Sequence, residues 1–117
     1  MSGFTNAYSA TVLDAQLAAG DYIAWSANGT SETGSLARTA VVAWAAATAG
    51  APASKSNSGA LTSAAASGGV TVSHFAVYSA VTAGTQKTDW TALAASRALI
   101  AGDTLTVAAG ALAVTLE

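Results

Sequence analysis

Cysteine is absent from this chain of 117 residues, and proline and histidine occur once each, as Pro52 and His74. Without cysteine there is no disulfide framework and no thiolate metal site. Charge is scarce too: Asp, Glu, Lys and Arg make up 9% of the residues, against about 25% in ordinary globular domains. The cations are Arg38, Lys55, Lys87 and Arg97, scattered along the chain. Phosphate backbones are gripped by clustered positive faces, so a nucleic-acid partner is not expected. No apolar stretch approaches the ~20 residues of a membrane span, and the alanine-rich runs are broken by Ser, Thr and Gly. The opening residues have no basic n-region and carry Asp14, so no secretion signal is expected and cytoplasmic synthesis is.

What the chain has is alanine. Hydrophobic residues reach 52%, but an alanine buries little area at roughly 25 cal/mol per Å². The core must lean on Phe4, Tyr8, Tyr22, Trp25, Trp44, Phe75, Tyr78 and Trp90. Charged residues are depleted from the centres of interfaces, and a net charge of −2 gives weak colloidal repulsion. Both features suit a subunit packed against partners.

Residues 5–19 form the expected helix. Phe4, Tyr8, Val12 and Ala15 recur at spacings of three and four, with Leu13 and Leu17 on the adjoining stripe. Thr5 or Asn6 can cap its start, and Gly20 can end it. Strands are predicted at 22–26, ending in the Asn28-Gly29 turn, and at 38–46, with Val42 and Trp44 on one face. Residues 48–59, holding Pro52 and small polar residues, read as a mobile surface loop. A short strand at 61–66 leads through Ser67-Gly68-Gly69 to the alternating run 70–78. Beyond a loop at Gly84 come strands at 88–95 and 97–100, then a turn at Ala101-Gly102-Asp103 and a terminal hairpin across 104–116. Short strands about ten residues apart predict a mainly β fold: an antiparallel β-sandwich or small jelly-roll-like barrel with one short N-terminal helix, filling 1–117 as a single domain.

Reactive chemistry is sparse. Nucleophilic catalysis requires a base beside the nucleophile, and His74 lies mid-strand beside Phe75 with Val72 and Ala76 on its face, the setting of a packed residue. Asp14, Asp21, Glu32, Asp89, Asp103 and Glu117 are dispersed, so no carboxylate pair and no calcium loop is expected. Asp21 and Asp103 each follow a glycine, where Asp accepts local backbone hydrogen bonds. Trp25, Trp44 and Trp90 read as packing groups, with a sugar platform as the alternative, and Trp90 as the least buried. No catalytic residue, cofactor or metal is expected.

The succession of segments resembles small structural proteins of tailed bacteriophages, common in phages of actinobacteria and known as tail fibre, minor tail or head decoration proteins. The resemblance is carried by Leu13-Asp14-Ala15 ahead of Tyr22-Ile23-Ala24, by Glu32, Gly34 and Ala37 to Ala40 ahead of Trp44, by the strand Val72 to Ala80, by Gly84, and by the closing run Ala101 to Leu116. It implies a β-rich, oligomeric virion component with no enzymatic residues. The leading expectation is a capsid decoration, or cement, protein on the outer surface of the head. There it would bind the major capsid protein, as a trimer at three-fold positions, and stabilise the shell by mass action. The alternative is a tail-tip or tail-fibre-associated protein that binds tail proteins and recognises the host surface. The expected contact residues are Ser2, Gly3, Phe4 and Thr5, the loop residues Ala51, Pro52, Ala53, Ser54 and Lys55, and Trp90.

Overall fold

In a computed structural model, the described residues are 5–17, 20–41, 44–50 and 53–116. One helix, α1 (Asn6–Gln16), precedes eight strands: β1 (Tyr22–Ser26), β2 (Thr39–Ala40), β3 (Ala53–Ser56), β4 (Leu61–Thr62), β5 (Val70–Tyr78), β6 (Thr91–Leu99), β7 (Thr106–Val107) and β8 (Ala113–Leu116). Every strand pair is antiparallel. The protein is mainly β, in a sandwich-like arrangement with one short helix, as its turn spacing predicts.

The principal sheet runs β2-β1-β5-β6. β1 is covered on both faces: Ile23, Ala24, Trp25 and Ser26 are each fully buried. Trp25 stands opposite Phe75 and Ile23 opposite Val77, which places the largest side chains on one face. Ala24 opposite Ala76 lets the other face pack closely. Indole is expensive to bury unless its N–H is paired, and the Trp25 Nε1–H donates to Thr39 Oγ1 at 3.1 Å. Leu36, Val41, Leu105 and Leu112 complete the core.

Residues from 53 to 116 form one long antiparallel ribbon doubled about a tip near Gly84. The pairs nest in order: Tyr78 with Gln86, His74 with Ala92 and Val70 with Leu99, Leu61 with Val107, and Ser54 with Thr115. Between these strands the ladder is carried by single bonds, such as Ser63 N–H to Leu105 O at 2.8 Å and Ala66 N–H to Asp103 O at 2.7 Å. A register shift between Val72 and His74 bends the ribbon, as bulges do.

This ribbon corrects three expectations. The terminal hairpin does not form: its two halves lie on the same returning limb, β7 pairing with β4 and β8 with β3. Within the 48–59 stretch, residues 53–56 are not a mobile loop, because they form β3 and bury Ala53 and Lys55. The strands predicted at 88–95 and 97–100 merge into continuous β6. Asn57 explains the first two. Fully buried, it donates from Nδ2 to Gly59 O at 2.7 Å and to Ala108 O at 3.0 Å. It also accepts the Leu112 N–H on Oδ1 at 3.0 Å. It thereby ties one limb of the ribbon to the other where the regular ladder is interrupted.

Two smaller corrections concern the N-terminal half. The strand expected at 38–46 is two residues long as β2; Trp44 joins Asn57 through an isolated bridge, and Val42 lies outside the described residues. In α1 the buried stripe is Ser9, Leu13 and Leu17, while Tyr8 is 55% exposed. The helix lies against β3 and β8, and small Ser9 permits a close approach that tyrosine would prevent. Thr5 caps α1, its Oγ1 accepting the Tyr8 N–H at 3.2 Å. The helix ends at Gln16, before the expected Gly20, whose φ is +98°.

Candidate functional site

The structure places half of the expected contact residues. Ser2, Gly3, Phe4, Ala51 and Pro52 lie outside the described residues. Thr5 is exposed at the helix start, whereas Ala53 and Lys55 point into the protein and Ser54 is half-buried. Lys55 is held by an ion pair with Asp14 of α1, and Asp14 also accepts the Ala47 N–H at 2.9 Å. These two hydrogen bonds, Lys55 first, hold the Asp14 carboxyl below its ordinary pKa. Trp90 is half-buried with its ring centroid 6.3 Å from that of Tyr78.

Other charges serve the frame. Arg38 is paired with Glu32 at 2.9 Å, donates to Ala80 O and Ala83 O, and lies 3.8 Å over the Tyr78 ring. That clamp fixes the ribbon tip, and the Glu32 hydrogen bond raises the Arg38 pKa further. Asp103 accepts the Ile100 N–H at 3.0 Å, the turn chemistry expected of it. Asp21 is buried and paired with Lys87 at 2.8 Å. His74 Nδ1 lies 2.7 Å from Ser73 Oγ. Its ring closes over Gly29, where a Cβ would sit 2.9 Å from Nε2. Among the described residues no three His, Cys, Asp or Glu side chains gather as metal ligands, and no helix is long and apolar enough to cross a membrane.

A cleft of about 750 Å³ lies between α1, the limb that leaves the ribbon tip, and β8. Small-ligand sites usually span about 300–1,000 Å³. Val12, Leu13, Leu17 and Val114 supply the apolar walls; Gln16, Gln86, Lys87, Thr88, Asp89, Thr91 and Thr115 supply polar groups. The arrangement follows from the fold: the stripe that docks α1 leaves Val12 and Gln16 at its margin, and the ribbon brings the 85–91 limb alongside β8's neighbourhood.

The limb is held rigidly. Lys87 Nζ donates to Gln16 O at 2.7 Å and to Asp21 at 2.8 Å. Gln86 donates to Thr88 O at 2.8 Å and accepts from the Tyr78 hydroxyl at 3.1 Å. Thr88 Oγ1 accepts the Val77 N–H at 3.0 Å. Among the described residues the lining contains no histidine, cysteine or serine. Its single cation is already neutralised by Asp21, which leaves Asp89 as the charge without an ion-pair partner among the described residues.

Sequence reasoning missed this cleft. The sequence pattern marks 5–19 as a helix, 88–95 as a strand and 104–116 as a hairpin with nothing to join them, and only the pairing of β3 with β8 brings the third beside the first. No curated protein matches the chain. Residues 5–115 match the family described as Podophage GP4 fiber I protein gp80. The match supports a phage structural protein, and with it a virion component; it supports neither the actinobacteriophage kinship nor the head-surface role expected from the resemblance. Spanning nearly the whole chain, it shows that this protein belongs to the podophage fibre I family.

Proposed function

We propose that this protein is a non-enzymatic subunit of the tail-fibre apparatus that contacts the host surface. The observation that carries the reading is the family match from 5 to 115, which names a fibre. The rigid, unreactive cleft beside α1 suits recognition by binding. The head-surface alternative draws no comparable support, and the major capsid protein gives way to tail proteins as the expected partner.

The reading includes self-association along β6. This strand pairs with β5 on one side and ends the sheet on the other. Its side chains are small and, apart from half-buried Leu93 and buried Leu99, exposed wherever described. Natural edges are usually protected by lysine, proline, shortness or a covering segment; β6 is nine residues long and has Arg97 as its one charge. An antiparallel pairing of two copies centred on Ala95 sets Arg97 opposite Leu93, so the charges do not meet. The same register sets Ile100, 70% exposed, opposite half-buried Trp90. Such an isologous contact makes a two-fold dimer, in place of the three-fold assembly that head positions would favour.

Copy number tests the role. Densitometry of purified virions should give a copy number well below that of the major capsid protein, and soluble protein should slow phage adsorption to host cells. A copy number matching a complete head lattice, with no effect on adsorption, contradicts the reading.

A further inference from the structure

We infer that the cleft beside α1 is a saccharide-binding site for a neutral sugar residue of the host-surface glycan, an assignment that rests on the fibre reading. Three properties select this ligand class. First, the site is unsuited to anions: Lys87 is the one cation in the lining, it is held by Asp21 and Gln16 O, and Asp89 adds a carboxylate. Second, a purely apolar ligand would strip water from the Gln16, Asp89 and Thr115 side chains, which have no hydrogen-bond partner among the described residues; burying such groups unpaired is unfavourable. Third, a pyranose matches both halves of the lining. Its C–H face can lie on half-buried Val12, while its hydroxyls can donate to the Asp89 carboxylate and exchange hydrogen bonds with the Gln16 amide and Thr115 hydroxyl.

Preorganisation strengthens the case. The 85–91 limb is anchored through Gln86, Lys87 and Thr88, so little ordering remains for a ligand to impose. Asp89, between those anchors and Trp90, is exposed and free to serve as the acceptor.

The experiment titrates the full-length protein with glucose, galactose, mannose and N-acetylglucosamine, with glycerol phosphate as the anionic control, and follows backbone amides by NMR. At least one neutral sugar should shift amides of residues 12–17, 85–91 and 113–115, and glycerol phosphate should not. Asp89→Ala should weaken that binding at least tenfold with the remaining spectrum unchanged, and Gln16→Ala should weaken it less. Shifts outside the cleft, preference for glycerol phosphate, no shift with any sugar, or unchanged binding in Asp89→Ala each overturn the assignment. Adsorption assays separate the two levels. Wild-type protein that blocks adsorption without binding sugar in the cleft removes this site and keeps the fibre reading. Sugar binding in the cleft without any block to adsorption keeps the site and removes host recognition.

Discussion

Asn57 lies one residue beyond β3, in a stretch whose proline, serines and glycines spell a loop, yet it is among the most buried polar residues described. Burying an amide is tolerable because both N–H groups and the oxygen are satisfied. Removing it leaves the Leu112 N–H and two carbonyls to find new partners. Asn57→Ala should therefore cost about 3 kcal/mol, read as a lower urea midpoint at unchanged slope. Asn57→Asp keeps the acceptor for Leu112 but turns a carboxylate oxygen toward the Gly59 and Ala108 carbonyls, so it should lose more above the carboxylate's titration range than below it, where the acid can donate to one of them. Lys55 is a second case, a cation 6% exposed that depends on Asp14. Because the folded-state pKa of Asp14 is depressed, its contribution is present above the unfolded value near 3.9 and is lost as pH falls through the folded one. Urea titrations of wild type and Asp14→Asn should differ at neutral pH and converge in acid; a constant gap contradicts the pairing. Neither residue was legible as an anchor, because buried polar partners come from distant segments that local pattern does not reveal.

Elements were legible where a strand carries its own pattern. β1 and β5 occupy 22–26 and 70–78 as expected, since aromatic and β-branched residues bounded by turn signals mark strands irrespective of partner. Partners were not legible. The run 104–116 alternates correctly, but period two fixes a face, not a neighbour, and Asn57 decides the pairing. The ribbon tip shows what the local glycine is for. Gly84 has φ +73°, and a Cβ there would lie 2.8 Å from Ser79 Oγ and 2.9 Å from Ala80 Cβ. Gly84→Ala should cost about 1–2 kcal/mol from the left-handed backbone alone, lowering the melting temperature by several degrees. At the outer edge, Ala95→Lys places like charges in the middle of the proposed β6 contact. Sedimentation velocity should show wild type associating and Ala95→Lys monomeric, with identical far-ultraviolet dichroism; equal sedimentation of both removes that contact.

The whole molecule measures 45 × 26 × 25 Å, elongated because one doubled ribbon runs through most of it. An alanine-filled, weakly charged chain closes its interior with a handful of large groups, and Trp25, Phe75, Ile23 and Leu36 do so here. The phage structural character was legible from the order of weak motifs. Location in the particle was not, since the same composition suits any surface that packs against another. The central claim is that the protein belongs to the tail fibres, and cryo-electron microscopy of the parent virion, with this chain fitted into the map, measures it directly. The account predicts density for the chain on fibres at the tail; density repeating over the capsid lattice and absent from the tail contradicts it.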